Sequence, residues 1–167
     1  FKAEYREARQ TDATAGNAGR VLYVGLGKKA DLDSERVRRA VGIGVRKAVK
    51  TKASKVTVQA QAAVGAALGD EVLGQAMAEA TLMAGYCFDA CKGKKARAKA
   101  REAPSLSAVA LVGKGAAFRR GVSRGKALGE IIAYIDRNKM EGSDSWIQAM
   151  AIMTAYTNKY PREPFKV

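Results

Sequence analysis

Apolar and polar positions fall into blocks whose period changes from one block to the next. Residues 1–20 are polar, and Thr11, Asp12, Thr14, Gly16, Asn17 and Gly19 read as a loop after a short opening segment. The run Val21-Leu22-Tyr23-Val24 is continuous and rich in β-prone residues, which predicts a strand covered on both faces and ended at Gly25. A turn through Gly27, Lys28 and Lys29 leads to Asp33 or Ser34, either able to cap a helix. That helix carries Val37, Val41, Val45 and Val49 on one stripe, with Ala40 and Ala48 beside them, and Arg38, Arg39, Arg46 and Lys47 on the other face.

The alternation then repeats. Val56-Thr57-Val58 predicts a second strand, the Ala- and Gly-rich stretch 60–69 fits no single element, and Asp70 opens a helix with Val72, Leu73, Ala76, Met77, Ala80 and Met83 or Ala84 on one stripe. After Pro104, Leu106 to Val112 predicts a third strand and Phe118 to Tyr134 a third helix. Strands alternating with helices imply βαβ units with right-handed crossovers, so the fold class is α/β with a largely parallel sheet flanked by helices. From Asp136 the texture turns polar. Trp146, Ile147, Met150, Ile152 and Met153 mark one more short helix, and the end, with Pro161, Pro164 and Phe165, is extended. This gives an opening segment 1–19, a domain 20–135 and a tail 136–167.

Charge changes the picture more than any single motif. Thirty Lys and Arg stand against 16 Asp and Glu, a net charge of +14 on 167 residues, well beyond what solubility asks. One cluster is Lys92, Lys94, Lys95, Arg97, Lys99 and Arg101; a second, Lys114, Arg119, Arg120, Arg124 and Lys126, sits in a stretch from Ala103 to Gly129 without one acidic residue. Such runs serve either as a solvated face or as a surface for an acidic protein or a polyanion. Few aromatics are interleaved with them, so RNA or DNA would be held by its backbone and not by stacked bases.

Catalytic candidates are few. There is no His, hence no imidazole as general base or metal ligand. Cys87 and Cys91, four apart, read as small buried hydrophobes in a reducing, intracellular compartment. Gly25 with Gly27 and Gly113 with Gly115 each lie between a predicted strand and a predicted helix, the context of a phosphate-cradling turn, but neither pair completes a dinucleotide fingerprint or a P-loop. No stretch is apolar enough to span a membrane. The first residue is Phe, as expected of a processed or partial chain; a removed targeting segment would fit an organelle such as a mitochondrion or plastid.

Three segments, Arg20-Val-Leu-Tyr-Val-Gly-Leu-Gly-Lys-Lys29, Glu35-Arg-Val-Arg-Arg-Ala-Val41 and Tyr86-Cys-Phe-Asp89, together with Gly121-Val-Ser-Arg-Gly-Lys-Ala-Leu-Gly-Glu130, resemble the amino-terminal domain of leucyl aminopeptidases in order and spacing. The resemblance covers about residues 20–130. It implies a macro-like domain that contributes to assembly and not to chemistry, and its macro-like character raises ADP-ribose as a ligand for the glycine turns. Past Glu130 the sequence departs from the family, and the Asn-Thr-Asp-Ala-Glu-Gly-Arg-Leu signature has no counterpart, so no catalytic or metal-binding position carries over. The expectation is a non-catalytic structural module without a cofactor, a subunit held among other proteins, with nucleic-acid binding or ADP-ribose binding as alternatives. Trp146, Ile147, Met150, Met153 and Phe165 would dock the tail on a neighbour or on the domain's own sheet edge.

Overall fold

The computed structural model describes residues 1–14, 18–85 and 106–137. In chain order the elements are β1 (Ala8–Asp12), β2 (Arg20–Val24), a 3-10 turn (Lys29–Asp31), α1 (Ser34–Lys50), β3 (Lys55–Gln59), α2 (Ala62–Leu68), α3 (Asp70–Gly85), β4 (Ala108–Val112) and α4 (Gly115–Arg137). The α/β class holds. The single, largely parallel sheet does not: among the described residues β1 pairs with β2 antiparallel and β3 with β4 in parallel, as two separate two-stranded sheets. The short connection between Asp12 and Arg20 can only return the chain antiparallel, whereas the long passage from β3 to β4 through α2 and α3 permits a parallel pair.

Local chemistry fixes the helices. Asp33 caps α1 by accepting the N–H of Arg36 at 2.6 Å, satisfying one of the donors a helix start leaves open. The predicted valine stripe turns inward, with Val37 and Val45 almost fully buried. Residues 60–69, unassigned by periodicity, hold the short helix α2, ended at Gly69 with φ +85°. The expected strand over 21–24 is not covered on both faces, since Tyr23 is half exposed, its ring beside that of Phe1. The loop expected before it contains β1, an edge strand with four of its five residues exposed and no apolar alternation to signal it.

Helix α3 is the centre of the molecule, with α1 on one side and α4 on the other. It is therefore buried around most of its circumference from Leu73 to Ala80, and not along one stripe; Val72 and Met83, expected on that stripe, are exposed. Side α4 comes close because its contact row is Gly121, Gly125 and Gly129: a methyl group on Gly121 would overlap the backbone carbonyl of Glu71, and one on Gly125 would stand 2.8 Å from Cβ of Ala78. Val37, Val64, Leu73, Ala76, Met77 and Phe118 form the core, with Val58 and Leu111 reaching it from the parallel pair. The Val, Leu, Met and Phe side chains among them stabilise by about 1.5–3 kcal/mol each when buried.

Candidate interaction surface

Of the second basic cluster, the structure brings Arg120 and Arg124 together on one carboxylate. Arg120 Nη2 stands 3.2 Å from Glu71 Oε2 and Arg124 Nη1 2.6 Å from Oε1, joining α4 to α3. Lys126 lies 3.8 Å from Glu130, one turn along α4. Lys114, just before α4, and Arg119, near its start, are exposed. On α1, Arg36 pairs with Asp31, Arg39 with Glu35, and Lys47 donates to the carbonyl of Ala8. Much of the basic excess on these helices thus holds one element to another as well as facing solvent. The cluster Lys92, Lys94, Lys95, Arg97, Lys99 and Arg101, the two cysteines and the tail residues Trp146, Ile147, Met150, Met153 and Phe165 lie outside the described residues.

The first glycine turn is occupied by the chain itself. The N–H of Gly25 donates to the carbonyl of Glu7 at 2.8 Å and that of Gly27 to the carbonyl of Ala3 at 3.2 Å, while the N–H of Arg6 donates back to the carbonyl of Gly25 at 3.0 Å. Gly25 is buried where the opening segment crosses it, and a Cβ there would overlap the backbone of Glu4. A phosphate would have to displace residues 3–7. At the second turn, a Cβ on Gly113 would run into the ring of Phe118, and Gly115, at φ +76°, starts α4 with open space around it.

The feature that sequence reasoning missed is a cleft of about 1040 Å³ between β2 and β3. Every residue of both strands lines it, and its floor is the face of α1 through Val41, Gly44, Val45 and Ala48, with Met77 of α3 beneath. Arg20, Lys52 and Lys55 are also among its lining residues, and Arg20 Nη2 donates to the carbonyl of Thr51 at 3.0 Å. The two strands frame the cleft without pairing to each other. The sequence carries a faint signal of it in the small residues Ala40, Gly44 and Ala48, four apart along α1, but only the placement of two strands shows that they floor an opening.

Among the described residues no three His, Cys, Asp or Glu side chains come together in a way that could hold a metal ion, and no helix is long and apolar enough to cross a membrane. The structure is similar to that of the bottromycin maturation enzyme BotP, with a TM-score of 0.64 and 22% identity over 81% of this chain. BotP in complex with Mn gives 0.63 over the same share. At that identity the likeness speaks for the fold alone, and the chain spans 26–27% of the BotP chain. No curated protein matches the sequence significantly. The family model for the cytosol aminopeptidase family, N-terminal domain, matches residues 1–95, so the likeness takes in β1 and the opening segment as well as the motifs from Arg20 onward. The chain belongs to the cytosol aminopeptidase family through that N-terminal domain.

Proposed function

We propose that this chain is a non-catalytic interaction module, serving as a subunit of a larger assembly in a reducing compartment inside the cell. The observation that carries this reading is the family match itself: what the chain shares with the aminopeptidases is their N-terminal domain, over residues 1–95. Its surface supports the reading, with a net charge of +14 and, among the described residues, an edge of β2 and an edge of β3 that pair with no other strand. The test is the native size of the endogenous protein on a gradient, with and without nuclease, beside a peptidase assay with divalent metal. Migration in a large, nuclease-resistant particle without peptidase activity supports the module. Migration as a small species, or metal-stimulated peptide hydrolysis by the purified chain, overturns it.

A second reading, backbone-directed binding of RNA or DNA, rests on the same excess of cations. It is weakened by the commitment of Arg120, Arg124 and Lys126 to carboxylates. Collapse of the particle on nuclease treatment, with affinity that falls steeply as salt rises, would favour it.

A further inference from the structure

We propose that Ser54, in the turn between α1 and β3, is a phosphorylation site, modified by a protein kinase that selects cations around its acceptor. The site goes beyond the reading of the chain as an interaction module and does not depend on it.

The turn is built on the end of α1. The N–H of Ala53 donates to the carbonyl of Ala48 at 3.0 Å and that of Lys52 to the carbonyl of Val49 at 3.0 Å, the pair of bonds that closes a helix when the residue after its cap is left-handed. That residue is Lys52, at φ +59°. Glycine is the usual occupant of such a position, because a Cβ is strained there. A lysine gives up some of that stability and sets an ammonium group on the turn. Lys50 and Lys55 flank it, and all three are exposed. Among the described residues none of the three pairs with a carboxylate. Arg20 joins them, its Nη2 on the carbonyl of Thr51 at 3.0 Å; Asp12, opposite it on β1, forms no ion pair with it.

Three hydroxyls lie in or beside the turn, and the chain uses two of them. That of Thr51 donates to the carbonyl of Ala48 at 3.0 Å, and that of Ser107, just before β4, donates to the carbonyl of Ser54 at 2.8 Å. Ser54 is exposed, and its own hydroxyl has no partner among the described residues. It stands between two elements and inside neither, so an enzyme reaches it without unwinding a helix.

Ser123 is the contrast. Arg119 and Arg120, four and three residues before it, give it the richer cationic setting along the chain. Its hydroxyl donates to the carbonyl of Arg119 at 3.1 Å within α4, which packs along α3. A kinase takes its acceptor in an extended stretch, so Ser123 is reached only when α4 opens.

In the transfer, Ser54 Oγ bonds to the γ-phosphorus of a nucleoside triphosphate as the bond from that phosphorus to the bridging oxygen breaks. The hydroxyl proton passes to a base of the kinase, and the nucleoside diphosphate leaves. The product sets a charge of about −1.5 to −2 and three acceptor oxygens beside Lys52 and Lys55. Charge-assisted bonds to these lysines offset the repulsion a phosphate meets near the carbonyl end of α1, and this end of the molecule loses its cationic character.

The test incubates the folded 167-residue chain with magnesium, ATP and a kinase that requires basic residues near its acceptor, and maps the phosphate by fragment mass spectrometry. Ser54 is expected to take phosphate at least tenfold faster than Ser123. The order reverses between short peptides spanning residues 47–58 and 115–127, which carry the charges without the fold. Lys52→Gly separates recognition from folding: it raises the melting temperature by relieving the left-handed strain, yet slows modification of Ser54 at least threefold, while Lys52→Arg keeps the rate. Endogenous protein isolated with phosphatases inhibited carries phosphate at Ser54 in part of its molecules.

Phosphate entering Ser123 or another residue ahead of Ser54 overturns the proposal, as does an unchanged rate in Lys52→Gly or endogenous protein without phosphate at Ser54. A lower melting temperature for Lys52→Gly removes the reason given for the lysine and overturns it as well. None of these readouts uses native size, so the site and the module reading fail separately.

Discussion

Arg38 on α1 places its Nε 2.5 Å from Oε2 of Glu79 on α3, and Glu79 is 7% exposed, a buried charge beside core residues that, among the described ones, are Val, Ala, Leu, Met and Phe. The second carboxylate oxygen accepts from Gln75 Nε2 at 2.7 Å, and Arg38 reaches Ser34 Oγ at 3.1 Å. Removing the cation alone strands a carboxylate between two helices. Arg38→Ala is expected to lower unfolding free energy by about 2–3 kcal/mol, below the range for wholly buried pairs because Arg38 remains partly in solvent. The double variant Arg38→Met with Glu79→Leu is expected to recover most of that loss. Urea unfolding of the single and double variants measures both, and a double variant as unstable as Arg38→Ala would refute the account.

The same chemical change should have opposite signs at two glycines. Gly125→Ala sets a methyl group 2.8 Å from Cβ of Ala78 at the α3–α4 contact and forces the helices apart. The expected cost is about 1–3 kcal/mol. Gly44→Ala, in the interior of α1 with its nearest neighbour at 3.7 Å, is expected to stabilise by about 0.5–1 kcal/mol through helix propensity. Thermal melts of the two variants separate them, and a shift of the same sign in both would contradict the packing described.

Those glycines mark how far the sequence reaches. The cap at Asp33, the valine face of α1, β3, β4 and the two long helices are legible because each is written in a local signal: a short polar side chain before a periodic run, or β-branched residues in alternation. β1 is not, because Ala8-Arg-Gln-Thr-Asp12 has no apolar stripe and exists through its pairing with β2. The two-sided burial of α3 follows from Gly121, Gly125 and Gly129 on another helix, a long-range fact that periodicity within α3 cannot report. The basic character of α4 is legible residue by residue, while its engagement by Glu71, about fifty positions earlier in the chain, is not. The cleft is least legible of all, since it is a relation between two strands that do not pair with each other.

Glu71 offers a direct reading of what the α4 cations do. Glu71→Gln releases Arg120 and Arg124 from a carboxylate that is about a quarter exposed, and the stability lost is expected to be about 0.5–1 kcal/mol at low salt and smaller at high salt, where exposed pairs are screened. If these arginines also meet nucleic acid, the variant should bind a duplex more tightly than the parent, with a steeper dependence on salt. Unchanged duplex affinity would assign both arginines to the α3–α4 contact alone.

The turn at Gly25 and Gly27 permits a last test against a small anionic ligand. Its two N–H groups already donate to the carbonyls of Glu7 and Ala3, and Arg36 stacks over the ring of Tyr5 at 4.5 Å, pinning the opening segment against the start of α1. ADP-ribose or inorganic pyrophosphate at millimolar concentration should therefore leave the melting temperature unchanged. A ligand bound at 100 times its Kd would add about 2.7 kcal/mol and be evident at once. Deleting residues 1–7 frees both donors, and two outcomes then separate the roles of the turn. Stabilisation of the shortened chain by pyrophosphate would mean that the opening segment covers a phosphate site. Loss of stability with no response to pyrophosphate would mean that the glycines serve the crossing of the chain over itself.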